Sequence, residues 1–110
     1  MIQETITQIE GRIKEAKSLN DEKKRELLNL LYTLKTEVSE ISKTHPEHTQ
    51  SITSFAAVSI HEAIREEKNP QLLKLSLQGL STAVEGFESS HPKLVGVVNS
   101  IGLTLSKSGM

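Results

Sequence analysis

The chain has 110 residues, a formal net charge of −1 and no cysteine. A chain of this length usually forms one domain, and the near-zero charge argues against the basic excess of a nucleic-acid-binding face. The lack of cysteine excludes disulfides and thiolate metal sites and is typical of a reducing, cytoplasmic location. No run of about 20 apolar residues predicts a membrane span, and we expect no signal peptide.

Charged residues are scarce in the last third of the chain. Residues 1–44 are rich in both signs, whereas residues 70–110 hold only Lys74, Lys93, Lys107, Glu85 and Glu88. A pair of helices exposed to water usually carries more charge. We therefore expect this segment either to be wrapped by the rest of the chain or to meet another chain.

The first two predicted helices carry apolar residues at alternating spacings of four and three, which places each set on one helix face. Helix one is predicted within 1–19, and Asn20 or Asp21 can cap helix two by accepting from its free amides. So short a turn makes the two helices antiparallel neighbours. The two sets are Ile2, Ile6, Ile9, Ile13 and Ala16, then Leu27, Leu31, Leu34, Val38 and Ile41.

A histidine–proline pair separates helix two from helix three. Pro46 disfavours a helical conformation at His45 but suits the first position of a new helix. Helix three is predicted to run to about Glu67, and Asn69 with Pro70 then start helix four as its cap and first residue. The expected inward residues of helix three are Ile52, Phe55, Ala56, Ser59, Ile60, Ala63 and Ile64.

Helices four and five are predicted within 70–106, joined by the segment Phe-Glu-Ser-Ser-His-Pro at 87–92. Gly79 and Gly86 lie inside the apolar pattern of helix four and indicate close contacts with another helix. Helix five is apolar on more than one face, so we expect it to be the central and most buried helix. The apolar sets are Leu73, Leu77, Leu80, Val84 and Phe87, then Leu94, Val98, Ile101 and Leu105.

The two halves of the chain show a weak internal repeat. A shift of 46 residues superposes the apolar set of helix two on that of helix four, and it also superposes His45-Pro46 on His91-Pro92. Any two helices with the same apolar spacing would match leucines, so the shared histidine–proline pair is the more informative part. Coincidence and true repetition both remain open.

These patterns predict an all-α up-and-down bundle of four main helices plus an N-terminal helix. The single domain 1–110 would contain the N-terminal helix at 1–19, a first hairpin at 21–67 and a second hairpin at 70–106. Because each hairpin alone leaves an apolar face uncovered, the two must pack together or on another subunit. The spacing favours shallow crossings of about 20°.

Histidines are the first candidates for chemistry. His45 and His48 are three residues apart, but they straddle a proline corner and no third ligand converges on them in the sequence. His61 lacks the second histidine of the metalloprotease motif His-Glu-x-x-His, because Arg65 stands at that position. Structural roles are therefore favoured, and the sequence predicts no metal-binding residue.

The fourth histidine, His91, precedes Pro92 at the expected start of helix five. Its ring could accept a hydrogen bond from the amide of Lys93 or Leu94 and so cap the helix. A ligand-binding or pH-sensing role is the alternative.

No enzyme motif is present in the sequence. Serines are frequent but none lies in a Gly-x-Ser-x-Gly elbow, and no glycine-rich loop precedes a helix to bind phosphate. Paired carboxylates such as Glu66 and Glu67 lie on polar helix faces, where water hydrates them. We therefore predict a protein that is not an enzyme, with no catalytic or cofactor-binding residues and no cofactor.

The corner Phe87-Glu88-Ser89-Ser90-His91-Pro92-x-Leu94 and the ending Leu105-Ser106-x-x-Gly109 carry a family resemblance. They resemble the C-terminus of a family of short, mainly bacterial proteins, the domain of unknown function 4404. The resemblance implies a compact helical protein of a bacterium. It implies no activity and no site residues.

The sequence leaves two functions open. The first is a non-enzymatic helical assembly or adaptor protein that acts through apolar helix faces, as a homo-oligomer with a dimer favoured or with another protein. The alternative is a small-ligand or metal-binding bundle that uses His45, His48, His61 or His91.

Overall fold

The computed structural model describes residues 2–108, with the side chains of residues 4–107, and shows five α-helices. No described residue lies in a β-strand, so the predicted all-α class is confirmed. The side chain of Ile2 and the ending Gly109-Met110, for which the sequence made predictions, lie outside the described residues. The helices are α1 (Ile2–Glu15), α2 (Asp21–Ile41), α3 (Pro46–Ile64), α4 (Pro70–Ala83) and α5 (Pro92–Ser108).

Two predicted helix caps are confirmed. The side chain of Asn20 accepts from the Lys23 amide at 2.8 Å, and that of Asn69 accepts from the Leu72 amide at 3.1 Å. Each bond satisfies an amide that the first turn of the helix would otherwise leave without a partner. These caps fix where α2 and α4 begin.

Successive helices run in opposite directions. Lys24, in the first turn of α2, donates to the backbone oxygen of Lys14 in the last turn of α1 at 2.9 Å. Thr104 near the end of α5 donates to Glu26 in the first turns of α2 at 3.0 Å. The α2–α3 and α4–α5 connections therefore lie at the same end of the bundle.

The central helix is α3, which is the one described helix that contacts all four others. The prediction that helix five is central is wrong, because α5 contacts only α2, α3 and α4 and turns one face to water. Small side chains let neighbours approach α3 from several sides. The buried residues of α3 are Thr49, Ile52, Thr53, Ala56, Ser59, Ile60, Glu62, Ala63 and Ile64.

Among the described helices, α1 and α4 stand at the two edges of the arrangement around α3, and α4 packs closely along α3 and only lightly against α5. Gly79 confirms the predicted close contact, since a Cβ atom there would clash with the ring of Phe55. The same prediction for Gly86 is wrong, because Gly86 lies past the end of α4 and a Cβ there would meet no described atom within 4 Å. The prediction that Phe55 points inward is wrong: its ring is 39% exposed and lies over Gly79 at the α3–α4 seam. Packing on a glycine leaves the outer side of the ring in water.

Three helices end earlier than predicted, and the first is α1, which stops at Glu15 rather than at Leu19. Helix α3 stops at Ile64 rather than at Glu67, where Ser18 donates to the Ile64 oxygen at 3.1 Å and Lys68 donates to the Ala63 oxygen. These side chains satisfy carbonyls that another turn of helix would have used. Helix α4 ends at Ala83 rather than continuing to Phe87, because the chain reverses at Gly86 with φ of 96°.

None of the described helices is long and apolar enough to cross a membrane.

Two glycine-to-alanine substitutions should change stability in opposite directions. Gly86→Ala should destabilise the fold by about 1–2 kcal/mol, because a side chain disfavours positive φ. Gly11→Ala should stabilise it by about 0.5–1 kcal/mol, because Gly11 lies inside α1 with no atom within 4 Å of a new Cβ. Urea unfolding measures both. Equal effects of the two changes would contradict the assigned conformation of Gly86.

Candidate functional site

The two histidine–proline corners meet at one end of the bundle. One corner follows α2 and the other follows α4. Because α2 and α4 run in the same direction in an up-and-down fold, both corners lie at the same end of the bundle. Three histidines and one phenylalanine gather there: His45, His48, Phe87 and His91. We call these four residues the corner cluster.

Phe87 lies at the centre of the corner cluster and is only 6% exposed. Its ring centroid is 5.4 Å from that of His45, 5.6 Å from that of His48 and 5.6 Å from that of His91. All three pairs are edge-to-face, the arrangement that the charge distribution of aromatic rings favours. The histidines thus cover Phe87, which belongs to the buried core.

The two corners have matching hydrogen bonds. The amide of His45 donates to the Ile41 oxygen at 2.7 Å, and that of His91 donates to the Phe87 oxygen at 2.8 Å. In each corner the histidine Nδ1 lies within hydrogen-bonding distance of the preceding hydroxyl, 2.8 Å for Thr44 and 3.0 Å for Ser90. These bonds are related by the 46-residue shift seen in the sequence.

The predicted capping role of the His91 ring is wrong in its detail. The Leu94 amide donates to the backbone oxygen of His91 at 3.1 Å, and Nδ1 of the ring pairs with Oγ of Ser90. A backbone carbonyl therefore receives the amide of the first turn. The ring is left to pack against Phe87.

The corner cluster does not have the geometry of a metal centre. Its three imidazole rings surround a hydrocarbon ring, whereas zinc ligands direct their nitrogen atoms at one common point about 2.0–2.1 Å away. Among the described residues, no group of three or more histidine, cysteine, aspartate or glutamate side chains could hold a metal ion.

His61 lies near the C-terminal end of α3, apart from the other histidines. Its ring pairs with the guanidinium of Arg12, and its Nε2 is 3.9 Å from a carboxylate oxygen of Glu62. Glu62 is buried and accepts from Arg65 at 2.9 Å. In the sequence these residues form a broken metalloprotease motif, and in the structure they form a polar link between α1 and α3.

A second feature is an open groove between α4 and α5, which pack only lightly on each other. It consists of two adjoining pockets of about 560 and 370 Å³ that share Leu77 and Ser81. We call this surface the α4–α5 groove. Its lining residues are Pro70, Leu73, Lys74, Leu77, Gln78, Leu80, Ser81, Val98, Asn99, Gly102, Leu103 and Ser106.

The α4–α5 groove is apolar and nearly free of charge. Lys74 is the only charged residue in its lining. Leu103 stands on its α5 side with 65% of its surface exposed. The charge-poor segment noted in the sequence therefore supplies an exposed apolar surface as well as core residues.

One family match agrees with the resemblance of the C-terminal corner. The family described as Domain of unknown function (DUF4404) matches residues 27–110, which include the whole corner cluster and the α4–α5 groove. The chain belongs to this family. No curated protein and no solved structure matches the chain.

Sequence reasoning found the histidines of the corner cluster but not their convergence. The signal was available, because an up-and-down order of helices brings the second and fourth connections to one end. In the sequence, the only sign of the α4–α5 groove was the small number of charged residues in the last third of the chain. The apolar spacing alone does not show which flank of α4 another helix covers.

Phe87→Ala should destabilise the fold by about 3 kcal/mol or more, because it removes a buried ring and leaves a cavity beneath three histidines. Urea unfolding at neutral pH measures the change. The matched variant His45→Ala should cost less than about 1 kcal/mol, since His45 is exposed. A Phe87→Ala protein as stable as His45→Ala would show that the ring is not part of the core.

Proposed function

We propose that this protein is a non-enzymatic assembly module that forms a homodimer through the α4–α5 groove. The observation that carries the proposal is an apolar groove with a single charged residue in its lining, open along the edge helix α4. The cores of protein–protein interfaces are likewise depleted in charge.

The surrounding surface supports the choice of this groove. Helix α4 lacks a second close neighbour, because α3 packs on one side of it and α5 only touches it on the other. A helix of a second copy placed in the groove would supply that neighbour. It would also remove from water the apolar surface of Leu103, which nothing in the described chain covers.

Leu103→Glu should convert the dimer to a monomer, because it puts a charge on the apolar surface that the dimer would bury. Light scattering after size exclusion at micromolar concentration measures the mass. Tyr32→Glu is the matched control: Tyr32 is 69% exposed on α2, outside the groove, and its variant should remain dimeric.

Leu103 is exposed, so Leu103→Glu should keep the thermal stability that the wild-type monomer has at high dilution. A wild-type protein that is monomeric at these concentrations would contradict the proposal. So would a Leu103→Glu variant that dimerises as the wild type does.

The alternative function, binding of a small ligand or metal ion by histidines, has one observation in its favour. Three of the four histidines converge in the corner cluster. A metal that bound the folded protein would raise its melting temperature by mass action. If the histidines bind no metal, zinc or nickel should leave the melting temperature unchanged in the wild type and in His45→Ala. A melting temperature that zinc or nickel raises in the wild type but not in His45→Ala would favour the alternative.

A further inference from the structure

We infer that two copies pair through an antiparallel, two-fold contact between α4 of one copy and α4 of the other. The inference rests on the proposed dimer and specifies its geometry. Its basis is a set of four side chains that we call the row, Lys74, Gln78, Ser81 and Glu85. When two copies of the row lie antiparallel, each charged residue faces one of opposite charge and each amide faces a hydroxyl.

Lys74, Gln78 and Ser81 lie on one face of α4, because spacings of four and three residues return to the same helix face. Glu85 lies two residues past Ala83, the last residue of α4, in the turn that follows. All four residues are exposed, and Lys74, Gln78 and Ser81 line the α4–α5 groove. The Glu85 amide donates to the Thr82 oxygen at 3.1 Å, a bond to the third residue back that continues the chain past α4 in a tighter turn.

The row is self-complementary about a single point. The midpoint of positions 74 and 85 is also the midpoint of positions 78 and 81. In an antiparallel pair with its two-fold axis at that point, each Lys74 faces Glu85 of the second copy and each Gln78 faces Ser81. One symmetric contact therefore yields two ion pairs and two amide–hydroxyl pairs.

Neither charge of the row has a charged partner in the part of its own chain that the structure describes. Across the described residues, Lys74 and Glu85 form no ion pair and no side-chain hydrogen bond. The neighbouring Glu88, by contrast, accepts from the Gly86 amide at 3.0 Å. The free charges stand at the two ends of a segment that is otherwise uncharged from Pro70 to Val84.

The groove provides the room that this contact needs. With α4 of the second copy beside the row, that helix fills the space between α4 and α5. It meets α5 at Gly102, where no side chain blocks its approach, and beside Leu103. The Lys74–Glu85 pairs then lie at the two ends of the α4–α4 contact, and the Gln78–Ser81 pairs lie beside the two-fold axis.

Charge reversal tests the pairing. Lys74→Glu alone and Glu85→Lys alone should each weaken dimerisation by about tenfold or more, because each turns two attractive pairs into two repulsive ones. The double variant should dimerise within about threefold of the wild type, since every pair is again of opposite sign. Sedimentation equilibrium at low salt measures the dissociation constants.

A mixture of the two single variants gives the sharpest result. In the mixed dimer the glutamate introduced by Lys74→Glu would face the lysine introduced by Glu85→Lys, and the two unchanged residues of the row would also face each other with opposite charge. Heterodimers should therefore form in preference to either homodimer. Lys17→Glu is the control, because Lys17 is exposed on the α1–α2 turn. It has the same effect on net charge as Lys74→Glu and should leave the dissociation constant unchanged.

The outcomes separate this inference from the proposed function. A dimer that is indifferent to both single reversals, or that the double variant fails to restore, overturns the two-fold α4 contact and leaves the groove dimer standing. A wild-type protein that is monomeric by sedimentation removes both.

Discussion

The structure depends on the enclosure of α3 by the four other helices. Its small residues let α1, α2, α4 and α5 pack around it, and its core positions are almost fully shielded from water. Because the described helices around α3 form an open arc, two of them, α1 and α4, stand at its ends. Of these, α4 has only a light contact on its second flank, with α5.

The second constraint is the scarcity of aromatic residues, of which the chain has three. Tyr32 and Phe55 are largely or partly exposed, so Phe87 is the one aromatic ring in the core. It closes the end of the bundle where both histidine–proline corners arrive, and the histidine rings cover it. The corners thus couple the two hairpins, while the groove between α4 and α5 is left open.

Much of the fold could be predicted from the sequence. The all-α class, the caps at Asn20 and Asn69 and the close contact at Gly79 follow from local chemistry, and the structure bears them out. The central helix could not be predicted, because apolar spacing indicates how much of a helix can be buried but not how many other helices contact it. Phe55 was misplaced for a related reason: a ring that lies on a glycine satisfies the apolar pattern without entering the core.

Concentration-dependent hydrogen exchange tests the central claim, that the free flank of α4 is covered by a second copy. The account predicts that amides of residues 70–83 and of the adjoining part of α5 exchange more slowly as protein concentration rises, while those of α1 do not change. Exchange in α4 that stays the same from dilute to concentrated protein would contradict the claim.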